Sequence, residues 1–141
     1  MKPDPFQLER FVEAQAETFD EALSELRDGA KRSHWMWFVF PQIAGLGQSA
    51  MSRRYAIRSL AEAKAYLEHP LLGARLRQSV AAILAWAGKR DAVAILGSID
   101  AMKLHSSLTL FAAAAPDEER FAQALAAFFG SSDSATIGLL A

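Results

Sequence analysis

Apolar residues recur three or four positions apart along nearly the whole chain, and this spacing limits the possible folds more than any other feature. Phe19, Leu23 and Leu26 follow it, as do the apolar residues within 72–87. Such a period places apolar side chains on one face of an α-helix. No segment shows the strict alternation of a half-buried strand. We therefore predict an all-α fold, a compact orthogonal bundle of about seven or eight helices.

Cap and breaker residues predict where several helices begin and end. Thr18 and Ser59 each stand three residues before a glutamate, which is the spacing of a capping box. Glycines and one proline separate the periodic segments, at Gly29, Gly88, Gly97, Pro116 and Gly130. No linker or low-complexity tract interrupts the series, so we predict one helical domain spanning residues 1–141.

The segment from Trp35 to Phe40, WMWFVF, is apolar on every side. A buried helix and a buried strand both fit this pattern, because neither leaves a polar face. Ser33 as an N-cap favours the helix, and Pro41 would end either element. The sequence leaves both alternatives open.

Charge and composition exclude several kinds of partner. The 15 basic and 16 acidic residues give a net charge of −1, so bulk charge does not hold a nucleic acid or an anionic membrane. No apolar run approaches the roughly 20 residues that span a bilayer. The first residues lack the apolar core of a secretion signal. We therefore expect a cytoplasmic protein with neither nucleic-acid nor membrane partners.

The chain has no cysteine, which excludes disulfides, thiolate nucleophiles and cysteine-ligated metals. The histidines His34, His69 and His105 form no i, i+4 pair, and no cluster of carboxylates accompanies them. We therefore predict no metal site and no cofactor.

Residues 31–42, KRSHWMWFVFPQ, are the least ordinary part of the chain. Lys31 and Arg32 offer contacts to a phosphate, and tryptophan rings offer stacking faces for a base. His34 changes charge near neutral pH and is the candidate acid or base. The alternative is a buried hydrophobic helix with a solvated basic lead-in, which the residue types alone favour.

A glycine pair follows, in the pattern Gly45-x-Gly47-x-x-Ala50. This pattern matches a loose dinucleotide fingerprint, but the strand and βαβ unit that the fingerprint requires are missing. A loop whose backbone approaches a ligand fits better, and a plain flexible loop fits as well.

Residues 100–111 place Lys103 and Ser107 on one side of a helix, and Ser106 with Thr109 on another. A lysine followed by hydroxyls at this spacing suits contact with an anionic ligand. The alternative is a lysine on the solvent face, with small residues where helices pack closely.

Two long strings closely resemble the domain-of-unknown-function family 1810. They are KRSHWMWFVFPQIAGLGQSAMSRRYAIRSLAEAKAYLEHPLLGARL and DAMKLHSSLTLFAAAAPDEERFAQALAAFF, and the opening DPFQLERFVEAQ resembles the start of the same family. The resemblance implies a compact, mainly α-helical protein, found mostly in bacteria, with no established activity. The aromatic-rich segment, the Glu-Ala-Lys helix and the later Lys-Leu segment also show a likeness to the NADAR proteins, which are associated with NAD and ADP-ribose chemistry.

The resemblance strengthens the prediction of a binding pocket, because a signature kept only for packing would need no charged residues. We predict a small-molecule binding or processing domain for an anionic, nucleotide-like or ADP-ribose-like ligand. The predicted site comprises His34 as acid or base, the cations Lys31, Arg32 and Lys103, the stacking rings Trp35 or Trp37, and the polar residues Ser33, Gln42, Ser106 and Ser107. The alternative is a helical protein–protein interaction module without catalysis, with the aromatic segment partly exposed.

Overall fold

The computed structural model describes residues 3–141, and those residues form ten helices. They are α1 (Glu9–Gln15), α2 (Phe19–Asp28), α3 (Met36–Val39), α4 (Ala50–Arg54), α5 (Leu60–Glu68), α6 (Leu72–Leu84), α7 (Ala92–Leu96), α8 (Ser98–Ala114), α9 (Glu119–Phe128) and α10 (Ser134–Leu140). The predicted all-α fold is confirmed. The helix count is higher than predicted, because α3 and α4 have four and five residues, too few to show a period. No helix within residues 3–141 is long and apolar enough to cross a bilayer.

The predicted helix start at Ser59 is confirmed. The hydroxyl of Ser59 accepts a hydrogen bond from the Glu62 amide at 3.1 Å, and Asp91 and Asp133 cap α7 and α10 in the same way. The capping box at Thr18 was wrong in detail. Helix α2 does begin after Thr18, but the threonine side chain makes no capping hydrogen bond.

The ambiguous apolar segment is helical: Met36–Val39 forms the single turn α3. Ser33 is not its N-cap, since the helix begins after Trp35. The turn is buried against α1 and α6, and the carbonyl oxygen of Phe38 is satisfied by side chains. It accepts hydrogen bonds from the Gln15 amide at 2.7 Å and from the Tyr66 hydroxyl at 3.4 Å. Tertiary contacts therefore fix α3 where periodicity could not.

Helix α8 is the central element of the core. It packs against α5, α7, α9 and α10, and residues 106–111 are all buried. A helix surrounded on most sides carries apolar residues around its whole circumference, as Leu104, Leu108, Leu110 and Phe111 do here. The exposed large apolar side chains of α8, Ile99 and Met102, are on its first turns.

The turn between α5 and α6 is unusually tight. The Nδ1 atom of His69 accepts hydrogen bonds from the amides of Leu71 and Leu72, both at 3.2 Å, so this histidine has a structural role. A Cβ added to Gly73 would overlap the carbonyl oxygen of Leu67. A glycine is therefore required for α6 to approach the end of α5 this closely.

The segment before α5 is closed by an internal bridge and held from outside by Arg10. Ile43 and Ile57 form an isolated parallel bridge, in which the Ala44 amide donates to Ile57 and the Ile57 amide donates to Gln42, both at 2.8 Å. The Arg10 guanidinium also donates to backbone carbonyls within 54–56 and to Glu62 at 2.7 Å. These contacts hold residues 42–58 as a closed loop around α4.

Candidate functional site

A cleft of about 330 Å³ lies between α8, the 42–52 segment and the residues around the start of α10. We call it the α8 cleft. Its volume is within the range of about 300–1,000 Å³ that is usual for small-molecule sites. Its lining combines apolar, polar and charged residues: Gln42, Leu46, Gly47, Ser52, Ile99, Met102, Lys103, His105, Ser106, Asp133 and Ala135.

Lys103 in this cleft belongs to a group of three charges. One oxygen of the Asp100 carboxylate lies 2.9 Å from the Lys31 ammonium, and the other lies 3.4 Å from the Lys103 ammonium. Lys103 also lies over the ring of Trp37, 4.9 Å from its centroid. One carboxylate thus serves two ammonium groups, so the three residues carry a net charge of +1. That residual charge lies at the wall of the cleft.

Asp133 lines the cleft from the opposite element and caps α10. One carboxylate oxygen accepts hydrogen bonds from the Ser106 hydroxyl at 3.2 Å, the Thr136 amide at 3.1 Å and the Thr136 hydroxyl at 2.6 Å. Burial would raise the pKa of Asp133, but these hydrogen bonds and the nearby His105 outweigh it and lower that pKa. The carboxylate is therefore ionised at neutral pH and is a poor proton donor.

His105, rather than His34, is the histidine that lines the cleft. Its ring stacks on Phe129 with the two centroids 4.3 Å apart. Its Nε2 lies 2.7 Å from the carbonyl oxygen of Ser131. Because a carbonyl can only accept, Nε2 carries the hydrogen and donates a hydrogen bond to this oxygen. These contacts join α8 to the turn before α10.

The rim of the cleft is apolar. Ile99 and Met102 are 70% and 71% exposed, and they lie three residues apart on the first turns of α8. Large apolar side chains left this open beside a cleft are typical of a surface that meets a ligand or a partner.

A second cleft of about 150 Å³ adjoins the first, and we call it the arginine cleft. The two share Gln42, Gly47 and Ser52, and Arg53 and Arg58 stand on the far side. Both arginines are exposed, and neither has a carboxylate within 4.0 Å among residues 3–141. A Cβ at Gly47 would overlap the side chain of Ser52, so this part of the glycine loop is closely packed.

The structure brings three of the residues singled out in the sequence into the α8 cleft: Gln42, Lys103 and Ser106. Trp37 is half-buried beside Lys103, and Lys31 reaches the group through Asp100. Arg32 and His34 lie elsewhere on the surface, where Arg32 pairs with Asp28 at 2.8 Å. Ser107 is fully buried, and its hydroxyl has no partner within the part of the chain that the structure describes.

Two further predicted residues, Ser33 and Trp35, are held by a buried carboxylate. Glu25 accepts hydrogen bonds from the Ser33 hydroxyl at 2.5 Å, from the Trp35 indole at 3.0 Å and from the amides of Arg32 and Ser33 at 2.7 and 3.0 Å. Of the two rings predicted as alternatives for stacking, Trp35 is 0% exposed, so the prediction now rests on the half-buried Trp37. Much of the polar signature in 32–35 therefore serves packing.

These contacts set the charge state of Glu25. Burial would raise its pKa, but the hydrogen bonds from Ser33, Arg32 and Trp35 outweigh burial and lower the pKa to about 2. The carboxylate is therefore ionised throughout the neutral range and accepts all four hydrogen bonds.

Asp100 and Asp133 were not selected from the sequence as site residues. Asp100 stands three residues before Lys103, and that helical spacing is a usable signal for an ion pair. Asp133 stands three residues before Thr136, which is the spacing of an N-cap, so its local signal is for a helix start. Glu25 carries no local signal, because its partners follow in a separate loop and meet it only through the tertiary fold.

The molecule is thus a small all-α protein with a ligand-sized cleft beside its central helix. It belongs to the family described as "Protein of unknown function (DUF1810)", whose model matches residues 5–140. It is similar to the conserved hypothetical protein Rv1873 from Mycobacterium tuberculosis, with 48% identity and a TM-score of 0.94 to that crystal structure. The match covers 97% of this chain and 98% of the other. No curated protein is significantly similar to the chain, and neither description names an activity.

Proposed function

We propose that this protein binds a small anionic molecule in the α8 cleft. The observation that carries the proposal is the meeting of Gln42, from the segment before α4, with Lys103 and Ser106 of α8 in one cleft of ligand size. Gln42 is far from α8 along the chain, so only the tertiary fold brings it to the cleft that Lys103 lines.

Lys103 is the group that would meet the anion. Asp100 neutralises only one of the two lysines beside it, so the anion would bind on the Lys103 side of the cleft, away from the ionised Asp133 on the opposite wall. The side-chain amide of Gln42 supplies a neutral hydrogen-bond donor, whereas the Ser106 hydroxyl already donates within the protein, to Met102 or Asp133. The apolar rim at Ile99 and Met102 suits a flat or aliphatic portion, as in a nucleotide or an ADP-ribose-like compound.

We propose binding and assign no reaction. Cleavage of a glycosidic bond would require a carboxyl group near the reaction centre. Asp133 lines the cleft, but it is bound as the cap of α10 and its pKa is lowered. His34 does not line the cleft.

A helical interaction module is the second candidate, and the exposure of Ile99 and Met102 is the observation that favours it. The interaction module, as predicted from the sequence, requires a partly exposed aromatic segment. Residues 35–40 are buried apart from the half-buried Trp37, which supports the small-molecule proposal instead.

We further propose a cytoplasmic location, because the chain has no cysteine, and no nucleic-acid or membrane partner, because its charge is balanced.

The proposal predicts ligand-induced stabilisation that depends on Lys103. In a thermal-shift screen with nucleotides, NAD, ADP-ribose and sugar phosphates, a ligand at about 100 times its Kd should stabilise the fold by about 2.7 kcal/mol. Lys103→Ala should weaken binding about tenfold or more, because a charged contact is lost. Lys64→Ala, at an exposed lysine of α5 outside the cleft, should bind as the wild type does.

Two results would count against the proposal. An unchanged shift in a folded Lys103→Ala variant would place the ligand elsewhere. No shift with any compound would favour the interaction module, for which Ile99→Asn and Met102→Asn should abolish self-association or partner binding in sedimentation experiments.

A further inference from the structure

We infer that the arginine cleft is a second anion subsite, and that the two clefts together take an organic diphosphate or a similar compound with two neighbouring anionic groups. This inference rests on the proposed function, since it extends the same site. One anionic group would lie beside Lys103, the next beside Arg53 and Arg58, and the apolar end against Ile99 and Met102.

Continuity of the two clefts is the first argument. Gln42, Gly47 and Ser52 line both, so a ligand in the α8 cleft has only this shared wall between it and the arginine cleft. Gly47 adds no side chain to this shared wall and packs closely on Ser52. A ligand that spans both clefts would contact the shared lining residues Gln42, Gly47 and Ser52.

Charge is the second argument. The arginine cleft is lined by two guanidinium groups and no acidic residue. In the part of the chain that the structure describes, every close ion pair of the molecule lies elsewhere. The α8 cleft is different, because Lys103 there already shares Asp100 and Asp133 lines the opposite wall. Positive charge is thus concentrated at the arginine end, and a planar guanidinium suits bidentate contact with a phosphate or carboxylate.

The fixed backbone is the third argument. Gln42, Ile43 and Ala44 line the arginine cleft, and the bridge joins this stretch to Ile57 through two hydrogen bonds of 2.8 Å. The Arg10 guanidinium holds the carbonyl of Ala56, another lining residue, at 2.8 Å. A site for a small anion needs such a fixed frame, because loose groups lose more entropy on binding.

The inference can be tested without knowing the natural ligand, with inorganic pyrophosphate and orthophosphate as probes. Backbone amide shifts of Gly45, Gly47 and Ser52 would be followed by NMR titration at constant ionic strength, since salt screens exposed charges. We expect pyrophosphate to shift these amides and to bind at least about tenfold more tightly than orthophosphate, because it can reach both subsites. The double variant Arg53→Gln, Arg58→Gln should weaken pyrophosphate binding about tenfold or more.

Arg54→Gln is the matched control for the single variant Arg53→Gln. Each removes one charge from the same short helix, but Arg54 lines neither cleft and lies over the ring of Tyr55 instead. The pyrophosphate affinity of Arg54→Gln should stay at the wild-type value. Equal losses in Arg53→Gln and Arg54→Gln would reduce the effect to overall charge and overturn the inference, as would amide shifts that map elsewhere or the absence of pyrophosphate binding.

The same set of variants separates this inference from the proposed function. One outcome is that an organic ligand stabilises the wild type and binds Lys103→Ala more weakly, while it binds the arginine double variant as tightly as the wild type. In that case the α8 cleft binds the ligand alone, and the inference of a second subsite is wrong. If pyrophosphate binds through the arginines while no organic compound stabilises the protein, the anion subsite stands and the proposed ligand classes are wrong.

Discussion

Replacing Glu25 with alanine is expected to lower the free energy of unfolding by about 3 kcal/mol or more. The carboxylate is 2% exposed and accepts four hydrogen bonds, so its loss leaves the Trp35 indole and the amides of Arg32 and Ser33 buried or half-buried without their acceptor. Urea denaturation would measure the change. Glu21→Ala, one turn earlier on α2 and exposed, should alter stability by no more than about 0.5 kcal/mol.

The lowered pKa of Glu25 predicts that the free energy of unfolding falls at acidic pH. The folded-state pKa of Glu25 is lowered from 4.5 to about 2, so its contribution is complete above pH 4.5 and disappears as the pH falls towards 2. This difference corresponds to about 3 kcal/mol. Glu25→Gln, which cannot ionise, should be less stable than the wild type at pH 7, and the gap should close on acidification. A gap that stays constant from pH 7 to pH 3 would contradict this account of the carboxylate.

Gly73→Ala is the second substitution with a large expected effect, about 3 kcal/mol of destabilisation. The added Cβ would overlap the carbonyl oxygen of Leu67 and lie 2.8 Å from the Arg77 guanidinium. Arg77 can move, but the carbonyl belongs to the backbone at the end of α5, so the two helices would have to separate.

Gly138→Ala provides the matched control for that experiment. Gly138 also lies in a helix, and an added Cβ there meets no atom within 4 Å. Alanine should therefore leave stability unchanged or raise it by up to about 1 kcal/mol, as helix propensity predicts. Thermal unfolding followed by circular dichroism would compare the two variants. Similar melting temperatures for both would show that the turn between α5 and α6 tolerates the extra methyl group.

The sequence could predict features that depend on neighbours along the chain. The caps at Ser59 and Asp91 need only a side chain and an amide three residues on, and both are present. It could not decide the form of residues 35–40, because α3 is fixed by Gln15 and Tyr66 from other helices. Short local patterns therefore predicted the long helices well and the single-turn helices poorly.

The candidate site could be predicted only in part, because its residues meet through the tertiary fold. Lys103 and Ser106 share α8, and Gln42 was selected because it ended an unusual segment. Trp35 looked equally suitable, yet its indole is buried on Glu25. Residue type does not distinguish an aromatic ring that faces a ligand from one that faces the core, since the difference lies in which helix covers it.

The bridge between Ile43 and Ile57 has a consequence for the kinetics of binding. It closes residues 43–57 into a ring whose two ends are already joined before any ligand arrives. A molecule entering either cleft would meet a surface in its final shape, so association would be limited by diffusion and orientation rather than by loop rearrangement. Differences in affinity among related ligands would then appear mainly as differences in their residence times.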